Sequence, residues 1–158
     1  MGSYRVSRSV TVDAPAEAVR PLVRDLRAWQ RWSPWDGLDP DLERSYSADS
    51  SGVGARYEWS GNKKAGQGSM HVTVDNPGRL ALDLVFEKPF RSTSEVELLM
   101  EPAGQGTRVE WVMRGEQKGL MGVLGKVVPM DRIVGKDFEK GLASLKREAE
   151  SDAAAAQG

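Results

Sequence analysis

Residues able to do chemistry are few in this 158-residue chain, which has one histidine, His71, and no cysteine. Without thiols there can be no disulfides, thiolate-bound metals, iron–sulfur clusters or cysteine nucleophiles. A zinc or iron centre would rest on carboxylates almost alone, and a Ser-His-Asp arrangement could draw only on His71. No metal, no cofactor and no catalytic residue is therefore assigned. Phosphate loops fail on spacing. In GLMGVLGK, residues 119–126, Leu120 stands where a nucleotide-binding loop needs its first glycine and Val127 where it needs Ser or Thr. GVGARY and GQGSMH lack the third glycine of a dinucleotide fingerprint. With 22 Lys plus Arg against 23 Asp plus Glu the net charge is −1, so there is no electrostatic case for nucleic acid or an anionic membrane as partner. What remains are scattered carboxylates, tyrosines, serines and arginines, whose use depends on the face each one occupies.

Those faces follow from periodicity. Residues 4–13 alternate so that Val6, Val10 and Val12 share one side of a strand. Val19, Leu22, Val23 and Leu26 then keep helical spacing after Asp13 and Pro15, in a helix that Pro21 keeps short. In AWQRWSPWDG, residues 28–37, Trp29 and Trp32 extend that spacing and anchor the short helices to the sheet, and Pro34 ends the second helix near Trp32 or Ser33. From residue 42 the period is two, with strands expected at 42–47, 55–60, 67–75, 79–87, 91–101 and 108–114. DNPGR puts Pro77 and Gly78 in the positions of a type II turn, while GNKKAG, KPF and PAGQG close the other hairpins.

Apolar residues must meet apolar residues across each hairpin, which sets the registers. Val74 pairs with Leu80, Val72 with Leu82 and Met70 with Leu84; Met100 pairs with Val109, Leu98 with Trp111 and Val96 with Met113. The same registers place Glu101 opposite Arg108 and Glu95 opposite Arg114 on the outer face, and bring Trp59 near Gly68 and Tyr57 near Met70. By parity His71 lies outside, near Arg56, and Glu43, Glu58, Asp83, Glu95 and Glu97 are mostly outer-face charges rather than general acids. Residues 128–150 return to helical period along Met130, Ile133, Val134, Phe138, Leu142 and Leu145. Gly135 and Gly141 each cost about 1 kcal/mol relative to Ala inside that helix, which implies close approach to something. One domain is expected over residues 1–150, with a frayed tail over 151–158.

Strand, two short helices, six antiparallel strands and a long C-terminal helix is the order of the α+β helix-grip fold. With VDAPAEAV, WQRWSPWD, GARYEWSG and FEKGLASLKREAE, this order makes residues 4–150 resemble the START-like (SRPBCC) superfamily. Within it the chain is most similar to the bacterial polyketide cyclase/dehydrase-like family, and more distantly to the birch-pollen allergen. The resemblance implies a curved seven-stranded antiparallel sheet wrapped around the C-terminal helix, with an apolar cavity between them for a lipid, polyketide, sterol or similar ligand. Inward positions then become the candidate ligand contacts: Tyr57, Trp59, Met70, Leu84, Val96, Trp111 and Met113 on the sheet, with Leu82 and Phe86 beside them, and Phe138 and Leu142 on the helix. Trp35, beyond the proline, is placed at the cavity rim. Ser92, Ser94 and Arg44 are the polar handles, Arg44 facing either inward or outward according to an unsettled hairpin at 46–54.

Three functions fit. The first is binding of a small hydrophobic molecule in the cavity, without stable membrane insertion. The second is a cyclase or dehydratase using the same cavity, with Tyr57, Ser94 or Arg44 assisting. The third is a protein-interaction module, which an outward-facing tryptophan segment would favour. Glycines at 115, 119, 122 and 125 fit either a tightly packed turn or a gate beside the cavity. MGSYRVSRSV lacks the apolar core of a signal peptide and no apolar run approaches the roughly 20 residues that span a bilayer, so a cytoplasmic location is expected. Ligand identity and oligomeric state stay open.

Overall fold

The computed structural model describes residues 3–35, 38–88, 91–116 and 130–157. Period-two alternation builds β1 (Ser3–Val12), β2 (Glu43–Tyr46), β3 (Arg56–Ser60), β4 (Gln67–Asn76), β5 (Arg79–Lys88), β6 (Ser92–Ala103) and β7 (Gly106–Glu116). Helical spacing builds α1 (Ala16–Arg24), a 3-10 helix (Leu26–Arg31) and α2 (Met130–Gln157). The strands form one antiparallel sheet in the order β1-β7-β6-β5-β4-β3-β2, and α2 packs chiefly along β1. This is the helix-grip arrangement. No helix among the described residues is long and apolar enough to cross a membrane.

Most registers match the apolar pairing. Met100 stands opposite Val109, Leu98 opposite Trp111 and Val96 opposite Met113. Trp59 is opposite Gly68 and Tyr57 opposite Met70. One hairpin departs from it. Val72 and Met70 do face Leu82 and Leu84, but Val74 faces Ala81 and Asp75 faces Leu80. Thr73 is the extra residue: a bulge there displaces the last part of β4 by one position. Nor is the turn type II, since the glycines with positive φ among the described residues are Gly52, Gly54, Gly66 and Gly104, not Gly78. Instead the Asn76 carboxamide oxygen accepts the Gly78 amide at 3.2 Å and shapes the bend locally.

The outer face carries the charge. Arg114, registered opposite Glu95, turns to the diagonal Glu97 at 2.6 Å, and Arg79 reaches the same carboxylate at 2.5 Å. Arg108 bridges to Glu101 at 3.4 Å. The hydrogen bond from Arg79, joined by that from Arg114, holds the Glu97 carboxyl below the ordinary carboxylate range against the burial that would raise it.

Both helix glycines lie at close approaches. A Cβ on Gly141 would sit 2.8 Å from the Trp111 ring and 2.9 Å from Pro34 Cδ, whereas one on Gly135 would collide with the end of the Arg8 side chain. The helix does not stop before residue 151. It continues to Gln157 where a frayed tail is expected, because Arg31 grips Glu148 and Asp152 at 2.8 Å each and Ala153 packs on the core. Alanine is also the strongest helix former, so residues 153–156 cost little to keep wound. The KPF turn at Pro89 and Phe90, the glycine-rich stretch 117–129, and the Met130 and Ile133 side chains lie outside the described residues.

Two predictions follow from this packing. Gly141→Ala should destabilise by about 1–2 kcal/mol despite better helix propensity, since indole and proline ring cannot yield, while Gly135→Ala should be neutral or stabilising by up to about 1 kcal/mol because a guanidinium can swing aside. Urea midpoints of the two variants decide; equal signs would remove the explanation. At pH 7, Glu97→Gln should cost about 1–2 kcal/mol, discounted for the half-exposed arginines. Because the folded-state pKa lies below the unfolded value near 4.3, that contribution is complete above about pH 4.3 and is lost as pH falls through the depressed folded value. The gap between wild type and variant in unfolding experiments should therefore close on the acid side, and an unchanged gap at low pH would contradict it.

Candidate functional site

Five aromatic side chains fix one wall of the interior. Trp111 on β7 stacks on Phe138 of α2, with ring centroids 4.0 Å apart and planes within 8°. Trp29, Trp32 and Trp35 meet Trp111 edge-on at 5.9, 5.2 and 5.5 Å. Such offset and edge-to-face contacts each contribute about 0.5–1.5 kcal/mol beyond area burial. The indole N–H groups of Trp29 and Trp32 donate to the Val23 and Leu22 carbonyls, each at 2.7 Å, which ties the 3-10 helix back to the C-terminal end of α1. Asp25 caps the 3-10 helix by accepting the Arg27 amide at 3.0 Å and also takes the Ser50 hydroxyl at 2.6 Å.

The second wall is an aromatic ladder on β2, β3 and β5. Tyr46 stacks on Tyr57 at 4.8 Å, Tyr57 on Trp59 at 5.7 Å, and Trp59 meets Phe86 edge-on at 5.3 Å. Gly68 makes the last contact possible. It lies between Trp59 and Phe86 in the sheet register, and any Cβ there would meet the Trp59 ring at 2.6 Å and collide with the Val85 carbonyl. The Trp59 indole N–H is held by the Ala65 carbonyl at 2.9 Å. At the other end of the ladder the Arg27 guanidinium lies 4.3 Å from the centre of the Tyr46 ring.

Between the walls is a cavity of about 270 Å³. Buried Leu26, Trp29, Met70 and Leu84 form its floor, and exposed Gln30, Leu38 and Lys64 stand at its mouth. Turn chemistry builds the rim. Asp39 accepts the Asn62 amide at 2.8 Å, and the Asn62 side chain accepts the Lys64 and Ala65 amides, each at 3.0 Å. Polar groups inside are sparse. Gln30 donates to the Tyr46 hydroxyl at 2.7 Å, and half-buried Asp137 on α2 accepts the Trp35 indole N–H at 3.0 Å. Among the described residues no cluster of three or more His, Cys, Asp or Glu could hold a metal ion.

Of the residues singled out by sequence, Trp35, Tyr57, Trp59, Met70 and Leu84 line this cavity. Phe86 lines it too. Val96, Trp111, Met113, Phe138 and Leu142 are buried in the core and do not touch the cavity; of the Trp111 cluster only Trp29 and Trp35 line it. Ser94 is buried between its register partners Leu84 and Gly115, with no hydrogen-bond partner for its hydroxyl among the described residues. Ser92 is exposed at the start of β6. Arg44 stands opposite Trp59 on the edge strand, so it shares the inner-face parity, yet it is half-buried and does not line the cavity. His71 is exposed on the outer face opposite Arg56 and Asp83. Sequence reasoning missed Asp137, Lys64, Gln30 and Tyr46. Only Asp137 left a signal: it lies three residues after Val134 and four before Gly141, inside the apolar helical stripe rather than opposite it.

The architecture has close structural counterparts at low sequence identity. A protein from Nitrosospira multiformis superposes with a TM-score of 0.68 at 20% identity, over 94% of this chain and 98% of its own. Ara h 8.0201 gives 0.62 at 12% identity, over 98% and 99%. DynU16, from the dynemicin biosynthetic locus, gives 0.65 at 15% identity, over 94% of this chain and 48% of that one. No curated protein matches the chain by sequence. A family model for polyketide cyclase / dehydrase and lipid transport matches residues 3–150, and the chain belongs to that family.

Proposed function

We propose that the protein binds a small hydrophobic molecule in the cavity between the Trp111 cluster and the Tyr46–Phe86 ladder. The observation that carries this reading is a partly open space of about 270 Å³ lined chiefly by apolar and aromatic side chains, with methionine and leucine at its base. A dry engineered cavity of about 150 Å³ already holds benzene, and ligand pockets start near 300 Å³, so the space suits a molecule of one or two fused rings or a comparable apolar group. Met70 adds a flexible, polarizable surface that adapts to ligand shape. Membership of a family described by cyclase, dehydrase and lipid-transport roles supports a ligand of this class.

Binding accounts for the interior better than catalysis by the residues named from sequence. Of Tyr57, Ser94 and Arg44, only Tyr57 reaches the cavity. The tryptophan segment faces inward, with Trp29 and Trp32 buried, which removes the feature that would favour a protein-docking role.

Filling the cavity tests the proposal. Met70→Trp and Leu84→Phe should each weaken binding of naphthalene-sized aromatics by more than about tenfold in dye displacement and native mass spectrometry, while the melting temperature shifts by only a few degrees. Unaltered binding in both filled variants, or no binding of a broad aromatic and lipid panel by the wild type, would overturn it.

A further inference from the structure

We infer that the cavity selects compact aromatic molecules carrying a hydrogen-bond donor, a hydroxyl or an ammonium, which docks on the Asp137 carboxylate. This rests on the cavity being the ligand site. The starting point is how the indoles are anchored. Trp29, Trp32 and Trp59 donate to neutral backbone carbonyls of Val23, Leu22 and Ala65, at 2.7, 2.7 and 2.9 Å. Trp35 alone among these four donates to a carboxylate, and that carboxylate lines the cavity. An indole N–H needs one neutral acceptor, so a charged group is more than the anchor requires.

The surplus borders the cavity. The Trp35 bond uses Asp137 Oδ2, and the side chain makes no other hydrogen bond or ion pair among the described residues. Its second oxygen is thus available beside the apolar walls. Asp137 Oδ1 is not among the buried atoms that lack a partner, so solvent reaches it, and a ligand donor gains by replacing water with a direct charge-assisted bond beside apolar walls. Charge-assisted hydrogen bonds are also about twice as strong as neutral ones. Lys64, the cation at the mouth, is solvent-exposed, so its charge is screened and its stem serves mainly as apolar cover. The interior therefore rewards donors and penalises anions.

Four naphthalene probes of equal footprint test this by titration calorimetry: 2-naphthol, 2-naphthylmethylammonium, 2-methoxynaphthalene, which lacks a donor, and 2-naphthoate. One or both donor probes should bind at least about tenfold more tightly than the methoxy compound, and naphthoate should bind weakest. The two donor arms separate a hydroxyl preference from an ammonium preference. Asp137→Leu should bring the donor and methoxy affinities within about threefold while the methoxy affinity survives, which shows that the cavity still forms. Trp35→Phe, which leaves the carboxylate in place and frees its other oxygen, should keep the donor preference. Equal binding of naphthol, the ammonium and the methoxy compound by the wild type, or tightest binding of naphthoate, overturns the inference and leaves the cavity reading standing. Failure of all four probes to bind counts against the cavity itself.

Discussion

Gly141 lets the C-terminal helix settle against Trp111 and Pro34 with no side chain between them, and the stacking of Phe138 on Trp111 fixes the helix at that depth. The other interior positions depend on this contact. With Trp111 pinned from the helix side, Trp29, Trp32 and Trp35 can pack only against its edges, so the segment between α1 and β2 is drawn in beside the helix rather than over the sheet. Arg8 beneath Gly135, with its bond to Glu139 at 2.9 Å, repeats the close approach one strand away. The helix is thereby held along β1, at one side of the sheet.

That placement explains why there is a cavity. A helix pressed onto the β1–β7 side cannot also cover the inner face of β3, β4 and β5, and short apolar side chains there would leave a gap prone to collapse. The ladder from Tyr46 to Phe86 resists collapse because each ring is braced by the next. Gly68 permits this brace by leaving Trp59 and Phe86 in contact across β4. Ring side chains lose little rotamer entropy when fixed, since they have two side-chain torsions where Met has three. The cavity is thus a consequence of two rigid aromatic clusters, one set by the helix and one by the sheet.

The fold was legible in the sequence because periodicity and pairing constrain each other. Leu98 opposite Trp111 and Glu101 opposite Arg108 satisfy an apolar and a charged criterion in one register. The bulge at Thr73 was illegible, since one extra residue in VTVD leaves the alternation on either side locally intact. The site was only half legible, for a geometric reason. Parity assigns Ser94, Val96, Trp111 and Met113 to the same inner face as Tyr57 and Met70, but it carries no information on which half of that face the helix occupies. Core and cavity residues therefore look identical along the strands. Asp137 was obscured differently: a carboxylate on a helix is normally solvated, and its partner Trp35 is remote in sequence and lies beyond a proline.

In the proposed binding mode, the distribution of charge sets which ligands the cavity accepts. Glu97 on the outer face is buried but answered by two arginines, and Asp75, which the bulge sets opposite buried Leu80, is paired with Arg24 of α1 at 2.8 Å, so those carboxylates are stabilised within the protein. Asp137 has an indole N–H, a neutral donor that leaves the charge uncompensated. An interior built this way discriminates chiefly by penalty. Apolar walls accept most ring systems of suitable size with little preference, because one methylene more or less changes affinity by only about 1–3 kcal/mol. A carboxylate oxygen left facing a ligand without a donor must lose its water and gain nothing, and an approaching anion adds repulsion to that loss. A charged acceptor beside largely apolar walls can therefore impose a chemical identity that the aromatic surface alone cannot.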